Sequence, residues 1–295
     1  MIENYQLRYF LAVVETGSFT KAAKRVFVTQ PTLSAEIKKL EQHLGKELFN
    51  RTSKRVFLTE SGTRFLPHAK SILYQLNFAE SDIQSTGHSN ILRLGVLKTI
   101  SAKILQNILS TFNRDTGNLV IELFEGREQE IQNRLDDGQI DIALTIMRTT
   151  QKQEKIKLYN EGYSIAIGEH HPLATKEKIR PEDFAGEPTI VRSHCEILSE
   201  TSRFFTDHNV RPRLVYNTTQ DERALAMVAA GIGFTTMPDH YHSDDVKRVK
   251  MIGYDFTREI GLVKTSYNVS HDKEKLLDHF IDFTKNHVHE ITYES

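Results

Sequence analysis

The sequence predicts an α+β multidomain protein with a small N-terminal domain of helices and a β-hairpin, a long linking helix, and a C-terminal domain of two α/β lobes. Three patterns in the 295 residues predict this division. Apolar residues first recur at helical spacing, then at alternating intervals of four and three residues, and from residue 91 strand-like and helix-like segments alternate. The expected domains are residues 1–58, 59–88 and 89–295, with lobe 1 at about 91–161 and 267–295 and lobe 2 at about 162–266.

The net charge of −1 conceals an uneven distribution. Residues 1–58 contain ten Lys or Arg and five Asp or Glu, whereas the rest of the chain contains 28 basic and 34 acidic residues. A basic end on an acidic body favours a nucleic-acid partner for that end alone.

The single cysteine, Cys195, excludes an intramolecular disulfide and a cysteine-rich metal site. The first residues lack the basic and apolar regions of a signal peptide, and no apolar run approaches the ~20 residues of a membrane span. These features predict a cytoplasmic protein that does not enter a membrane.

Three helices are predicted in residues 1–45. The first ends at Gly17, Ser18 is placed to cap the second, and the third begins after Thr29 and ends at Gly45. One arc of the third helix is apolar, and the opposite arc carries short side chains, which can reach base edges in the major groove, and lysines, which can bind phosphates. The outward arc consists of Pro31, Ser34, Ala35, Lys38, Lys39 and Gln42.

A basic turn and an alternating strand follow at residues 50–58, which is typical of a β-wing. From this wing Arg51, Lys54 and Arg55 would reach the DNA backbone or the minor groove. From the pattern alone, a three-helix bundle with a solvated basic face explains these residues equally well.

Several motifs in this region resemble those of the LysR-type regulator family. They are residues 10–23, 29–34, 40–45, 48–51 and 58–62, which read FLAVVETGSFTKAA, TQPTLS, LEQHLG, LFNR and LTESG. The resemblance implies a winged helix-turn-helix whose third helix enters the major groove of double-stranded DNA. Ala35 stands where the family often has Arg or Gln, which implies fewer base contacts. Carried over by position, the DNA-binding residues are Gln30, Pro31, Thr32, Ser34 and Lys38 on that helix, Ser18, Thr20 and Lys21 beside the turn, and Arg51 and Lys54 in the wing.

A long helix is predicted from Thr59 to about Thr86. Its strictly spaced apolar seam favours a coiled-coil dimer over a helix that packs on its own chain. The resemblance implies a homodimer through residues 59–88, a homotetramer in many relatives, an interrupted inverted repeat at promoters as the binding site, and RNA polymerase as a possible further partner. The seam consists of Phe65, Ala69, Ile72, Leu76, Ala79 and Ile83.

From residue 91 the order βαβαβ is predicted, and a second α/β series follows Gly162. Such units form parallel sheets with right-handed crossovers, and two lobes of this kind place a ligand in the cleft between them. A last helix at residues 273–289 is expected to pack on lobe 1. The stretches LRLG at 92–95, DIA at 141–143, HPLA at 171–174 and MVAAGIG at 227–233 also resemble the family, whose sensor domain is like a periplasmic binding protein.

Four residues are candidates for binding a small-molecule effector. Thr99 follows the first strand, where the family commonly places a hydroxyl. Glu128 opens a helix where relatives often have Thr, which would suit an amine or a cation, although an acidic residue there also stabilises the helix N-terminus. Ser193 and His194 precede a predicted helix at residues 195–208, whose exposed N–H groups would receive an anionic group.

Cys195 is a candidate redox residue. At a predicted helix N-terminus, beside His194 and near Arg192, its thiol would have a lowered pKa and be reactive, whereas the alternative is a small buried filler. The segment resembles the peroxide-sensing branch of the family, but the expected second cysteine near Phe204 is missing. Oxidation would therefore stop at a sulfenate or a mixed disulfide, and a soluble effector is the preferred interpretation.

An α/β enzyme and a solute-binding protein are the least favoured functions. No histidine pair has convincing metal-ligand spacing, and the sequence contains no Gly-rich phosphate loop and no nucleophile elbow. No cofactor and no metal are therefore expected. The basic N-terminal domain and the missing signal peptide argue against a solute carrier.

Overall fold

A computed structural model of the chain describes residues 1–52, 55–84, 91–117, 119–149, 153–267 and 269–293. Internal contacts divide it into two units, Met1–His88 and Ser89–Ser295. The first unit holds the three helices, the hairpin and the long helix, and the second holds alternating strands and helices. The predicted α+β fold class is confirmed.

Local capping sets the limits of the first helices. Ser18 accepts a hydrogen bond from the N–H of Lys21 (3.4 Å), and Thr29 accepts one from the N–H of Thr32 (3.3 Å). Gly45 ends the third helix with a φ of 65°, a left-handed conformation that glycine adopts without strain. The elements of this unit are α1 (Asn4–Thr16), α2 (Phe19–Arg25), α3 (Gln30–Leu44), β1 (Phe49–Thr52), β2 (Arg55–Leu58) and α4 (Glu60–Gln84).

The apolar face of α3 packs against α1 and the hairpin, which leaves its polar face outward. Glu41, near the end of α3, is buried, and its carboxylate accepts hydrogen bonds from the N–H groups of Leu48 (2.8 Å) and Phe49 (3.3 Å). These bonds tie the end of α3 to the start of β1. The fully buried apolar residues at this junction are Leu33, Ile37 and Leu40 of α3, Phe10 of α1, and Phe49.

The predicted seam of α4 divides into two parts. Phe65 and Ala69 pack into the core of the N-terminal unit, where the ring of Phe65 lies 5.2 Å from that of Phe10. The expectation that a partner helix covers these two residues is therefore wrong. The remainder of the seam is exposed and consists of Ile72 (43% exposed), Leu76 (38%) and Ala79, while the side chain of Ile83 lies outside the described set.

The C-terminal unit alternates strands and helices along most of its length. Two short 3₁₀ helices, Pro172–Thr175 and Pro181–Phe184, flank its shortest strand. The elements are β3 (Ile91–Leu97), α5 (Ala102–Thr116), β4 (Val120–Gly126), α6 (Glu128–Asp136), β5 (Ile142–Ile146), β6 (Lys155–Gly168), β7 (Lys178–Ile179), β8 (Pro188–Arg192), α7 (Leu198–Asp207), β9 (Arg213–Thr218), α8 (Asp221–Ala229), β10 (Thr235–Pro238), β11 (Val246–Met251), β12 (Thr257–Lys264) and α9 (His271–Tyr293).

One mixed sheet runs through both lobes. Its order is β4-β3-β5-β12-β6-β11-β7, with β10 also paired to β6. The first three strands are parallel, as predicted, but β12 pairs antiparallel with both β5 and β6. Because β6 is 14 residues long, its first half pairs in lobe 1 and its second half in lobe 2. The β12 pairing shifts register between Ile260 and Gly261.

Several predicted elements of lobe 2 need correction. The series expected after Gly162 does not open with a strand of its own, because residues 163–168 are the end of β6. The helix expected at residues 195–208 begins at Leu198 instead. The last helix, α9, packs on lobe 1 as predicted, because Leu277, Phe280 and Phe283 share a core with Phe112 of α5.

A search of the described helices finds none that combines the length and the apolar character needed to cross a membrane.

The start of α4 tolerates no side chain at Gly62. A Cβ built there would lie 2.1 Å from the carbonyl oxygen of Leu48, so Gly62→Ala should displace α4 from the hairpin and destabilise the N-terminal unit by ~2 kcal/mol. Gly17→Ala is the matched control, since its left-handed φ costs about 1 kcal/mol but no atom lies within 4 Å. Urea unfolding of the full chain measures both. Equal destabilisation by the two variants would contradict the close approach.

Candidate nucleic-acid interface and ligand cleft

The outward face of α3 is open along its N-terminal half. Gln30, Pro31, Thr32 and Lys38 are exposed, and Ser34 is half-buried. The neighbouring Lys39 is held by Glu36, with 2.7 Å between Nζ and Oε1. Lys38 is exposed on the same face, where its ammonium group can bind a phosphate. The short side chains beside it can reach base edges.

The residues expected beside the turn differ in their hydrogen bonding and exposure. Ser18 is a structural cap, because its hydroxyl accepts the N–H of Lys21, whereas the side chains of Thr20 and Lys21 are exposed on α2. Arg51 belongs to β1, and Lys54 lies outside the described residues.

Sequence reasoning missed Phe27 in the turn before α3. Its side chain is 95% exposed and its φ is 58°, a left-handed conformation that few non-glycine residues adopt. A left-handed backbone conformation is strained at a residue other than glycine, and here it places the ring in solvent just before the start of α3. The sequence gives no signal of this exposure, because Phe27 lies eight residues after Phe19 and so fits the apolar spacing of α2.

In the C-terminal unit a buried cation lies between the lobes. The guanidinium of Arg258, in β12, donates from Nε to Oε2 of Glu161 in β6 (2.7 Å), and its Nη2 lies 2.5 Å from the same oxygen. It also donates to the hydroxyl (2.7 Å) and the carbonyl (2.8 Å) of Thr99, in the turn after β3. The guanidinium also contacts the carboxylate of a third residue, Glu196, in the turn before α7. The side chain of Arg258 therefore contacts groups from lobe 1, from lobe 2 and from β6, the strand that runs through both lobes.

The charges of this group stabilise one another. Burial alone would raise the pKa of Glu161 and of Glu196, but the charge of Arg258 and the hydrogen bonds from neighbouring groups together lower the pKa of both carboxyls. Glu161 also accepts a hydrogen bond from the backbone N–H of His240 (3.1 Å), and its Oε1 lies 2.8 Å from Nδ1 of that residue. Burial raises the pKa of Tyr163, whose hydroxyl donates to Glu196 at 2.5 Å. Both carboxyls are therefore ionised at neutral pH.

Thr99 is buried in the turn after β3, and its hydroxyl is already hydrogen-bonded on both sides. Its hydroxyl donates to Oε1 of Glu196 (3.2 Å) while it accepts from Arg258. A ligand that used this hydroxyl would have to replace Glu196.

Glu128 is neutralised rather than open to a cation. Its carboxylate forms a two-point ion pair with Arg148, with Nε–Oε1 and Nη2–Oε2 distances of 2.8 Å each. The hydrogen bonds to Glu128 raise the pKa of Arg148. The expectation that Glu128 suits the cleft to an amine or cation is not supported, since this carboxylate already has a cation.

Ser193 and His194 do not form the expected anion site, because α7 begins only at Leu198. The N–H of Ser193 donates to the carbonyl of Thr218 (3.0 Å), so it is not available to a ligand. His194 is buried inside lobe 2, with its Nε2 3.1 Å from Oδ1 of Asp221. Both residues belong to the interior of lobe 2.

That interior centres on a buried ion pair that the sequence did not reveal. Arg192 donates to both oxygens of Asp221, from Nε at 2.6 Å and from Nη2 at 2.5 Å, and to the carbonyl of Thr236 (3.1 Å). Burial opposes ionisation of Asp221, but hydrogen bonds from His194 and the charge of Arg192 lower its pKa well below the ordinary value.

Cys195 lies beside this pair, and the prediction of a lowered thiol pKa is wrong. Burial raises the pKa of Cys195, and this outweighs the guanidinium of Arg192, whose Nη1 lies 3.6 Å from Sγ. The thiol borders a cavity of about 550 Å³ between α7 and the strands of lobe 2. Other lining residues include Thr189, Val191, Thr201, Phe205, Leu214 and Phe234.

Within the described residues, no cluster of three or more His, Cys, Asp or Glu side chains has an arrangement that could hold a metal ion.

A winged helix-turn-helix with an exposed polar helix face, followed by a two-lobed α/β domain, is the architecture of a DNA-binding transcriptional regulator with an effector-binding domain. Residues 5–63 match the family described as "Bacterial regulatory helix-turn-helix protein, lysR family", and residues 85–288 match the "LysR substrate binding domain". The chain belongs to the LysR family.

Relatives cover most of the chain. The "HTH-type transcriptional regulator AlsR" of Bacillus subtilis (strain 168) is 31% identical over 245 residues, which are 80% of each chain. The "Hydrogen peroxide-inducible genes activator" of Pectobacterium carotovorum subsp. carotovorum is 30% identical over 237 residues, 79% of this chain and 78% of the relative. The crystal structure of full-length CbnR in complex with its target DNA has the same fold, with a TM-score of 0.69 at 22% identity over 96% of this chain and 99% of that one.

The raised pKa of Cys195 predicts a slow thiol. At neutral pH the native chain should react with iodoacetamide more slowly than the urea-unfolded chain, and its rate should rise only at a higher pH, because burial disfavours the thiolate. Since the chain has one cysteine, mass spectrometry of the alkylated protein between about pH 6 and pH 10 measures this directly. A native thiol that reacted faster than the unfolded one at pH 7 would restore the reactive-cysteine interpretation.

Proposed function

We propose that this regulator binds promoter DNA with the outward face of α3 in the major groove and responds to a soluble small molecule in the cleft between its lobes. The observation that carries the DNA contact is the open face of Gln30, Pro31, Thr32 and Lys38 beside the buried anchor of α3. In this proposal, further contacts to the DNA backbone come from Thr20 and Lys21 and from the wing residues Arg51 and Lys54.

The proposed assembly is a homodimer through α4 that binds an interrupted inverted repeat. This proposal is supported by three exposed apolar residues, Ile72, Leu76 and Ala79. They lie on the same face of α4 as the residues packed in the N-terminal core, but farther along the helix, where they face solvent. Pairing of dimers into a tetramer and contact with RNA polymerase complete the proposal. The protein acts in the cytoplasm and by binding rather than by catalysis.

A soluble effector is favoured over an oxidant as the signal. The buried thiol of Cys195 has a raised pKa, which lowers the thiolate fraction that peroxide attacks. The cleft, by contrast, gathers hydroxyl, carboxylate and guanidinium groups from both lobes around Arg258. The hydrogen-peroxide-inducible activator among the relatives makes oxidant sensing by Cys195 the alternative.

Replacement of Lys38 by alanine should weaken DNA binding, because a contact to a DNA phosphate is lost. After selection of binding sites from a random double-stranded library, Lys38→Ala should lose affinity for all sequences and flatten the salt dependence by about one unit of slope. Ser34→Ala should reduce affinity by several-fold for the selected site alone, because it faces the bases. Lys250→Ala is the matched control, since it removes an exposed lysine from the C-terminal unit. Fluorescence anisotropy at several salt concentrations measures each, and unchanged binding by both α3 variants would contradict the proposed face.

A charge in the exposed part of the α4 seam should dissociate the dimer. Ile72→Asp would bring two carboxylates together across a two-fold interface, so we expect a monomer with at least ~10-fold weaker binding to a two-half-site operator. Lys70→Asp provides the control, because Lys70 is exposed on α4 away from the seam. Sedimentation velocity distinguishes the two variants. An Ile72→Asp protein that sediments as the wild type does would rule out this seam.

A further inference from the structure

The cavity of about 550 Å³ in lobe 2 is separate from the cleft between the lobes. All of the described residues that line it lie between Thr189 and Thr236, and none of the partners of Arg258 is among them. An apolar cavity of ~150 Å³ is enough to bind benzene, and sites for larger organic molecules span ~300–1,000 Å³. The space is therefore large enough for a molecule of about two or three rings.

Short side chains on α7 leave this space open. The lining residues of the helix include Thr201, Ser202 and Thr206. Two phenylalanines of the lobe 2 core, Phe205 and Phe234, also line the cavity, with 6.2 Å between their ring centroids. Aromatic walls suit a flat apolar ligand, because they offer a large contact area and favour stacked or edge-to-face packing. The other apolar lining residues are Ile190, Val191, Leu198, Val210, Pro212 and Leu214.

The ionisable groups buried in the wall are paired or uncharged. The guanidinium of Arg192 donates to both oxygens of Asp221, at 2.6 and 2.5 Å. Burial raises the pKa of the Cys195 thiol, which is therefore protonated at neutral pH. Arg211 also lines the cavity, but it is exposed, so solvent screens its charge. Because an unpaired charge is costly to remove from water, the cavity favours an uncharged molecule.

The threonine hydroxyls of the wall are already hydrogen-bonded within the protein. Thr206 donates to a carbonyl of its own helix (2.8 Å), and Thr235 donates to the carbonyl of Ile190 (2.7 Å). The hydroxyl of Thr201 shares a hydrogen bond with that of Tyr254 (2.5 Å). A hydroxyl that donates in this way keeps a lone pair as an acceptor. The wall therefore suits a ligand with an N–H or O–H group on an apolar body.

We propose that this cavity is a second ligand site of the sensor domain and that it binds an uncharged aromatic molecule with a hydrogen-bond donor. The assignment does not depend on the proposed effector role of the cleft. The site lies against α7, and the turn before α7 carries Glu196, which is paired with Arg258. A ligand in lobe 2 therefore contacts the element that connects this lobe to the cleft.

Two fluorescent probes of nearly the same structure test the site. N-phenylnaphthylamine is uncharged and apolar and has one N–H group, and anilinonaphthalenesulfonate adds a sulfonate to the same skeleton. We expect the neutral probe to bind the full chain saturably, with one site per chain. The sulfonate should bind at least ~10-fold more weakly, because its charge would lose water without gaining a buried partner. Fluorescence titration measures both, since the emission of each probe rises in an apolar environment.

The cysteine reports where the neutral probe binds. Cys195 is the only cysteine of the chain and borders the cavity. At a pH where the free native chain is alkylated by iodoacetamide, saturating probe should slow the alkylation at least ~10-fold.

A variant that fills the cavity completes the test. Ser202→Trp places a large side chain in the cavity and should lower the affinity for the neutral probe at least ~10-fold. Arg203→Trp is the matched control and should bind as the wild type does, because Arg203 is the next residue of α7, is exposed and is not among the described lining residues. If Ser202→Trp does not fold, Ser202→Leu replaces it.

Absence of saturable binding would overturn the proposal, and so would binding that leaves the alkylation rate of Cys195 unchanged. Equal affinities of the Ser202 and Arg203 variants would place the probe elsewhere and also refute it. Equally tight binding of the sulfonate would refute an uncharged ligand.

Discussion

The positive charge of Arg258 holds the two lobes in their present relation. Its side chain is only 3% exposed, and a cation so far from water needs paired anions and hydrogen-bond acceptors at close range. Those partners are supplied by β6, by the turn after β3 and by the turn before α7. Loss of one partner of a buried ion pair typically costs ~3–5 kcal/mol, so the relative positions of these elements are strongly constrained. The cleft is therefore a closed electrostatic unit rather than an empty groove.

The two buried guanidinium groups of this domain have different roles because of where their partners lie. Arg192 is paired with Asp221 inside one lobe, beside the aromatic core around Phe205 and Phe234. The partners of Arg258 lie on both sides of the cleft. Similar ion-pair chemistry thus links elements of a single lobe at Arg192 and elements of both lobes at Arg258.

The N-terminal unit was predictable from sequence because its determinants are local. Caps at Ser18 and Thr29, the glycine at the end of α3 and the apolar spacing of α3 are all read within one or two helical turns. The cleft was not predictable, since Arg258 is 97 residues from Glu161, 62 from Glu196 and 159 from Thr99. No periodicity connects positions so far apart. Cys195 was misjudged for a related reason: the three residues before Leu198 form a turn, so the thiol is packed in the lobe instead of standing at a helix end.

The crossing strands impose a mechanical rule on the sensor domain. β6 runs from lobe 1 into lobe 2, and β12 is hydrogen-bonded along the first half of β6, so a paired strand leads from one lobe to the other. A change of angle between them must be absorbed as torsion of a two-stranded ribbon. The twist would fall on β6 near residues 162 and 163, where its partners change from β12 in lobe 1 to β10 in lobe 2. The side chains that Arg258 holds together lie at this same change of partners, so a twist of the strand and a rearrangement of the ion pairs would have to occur together.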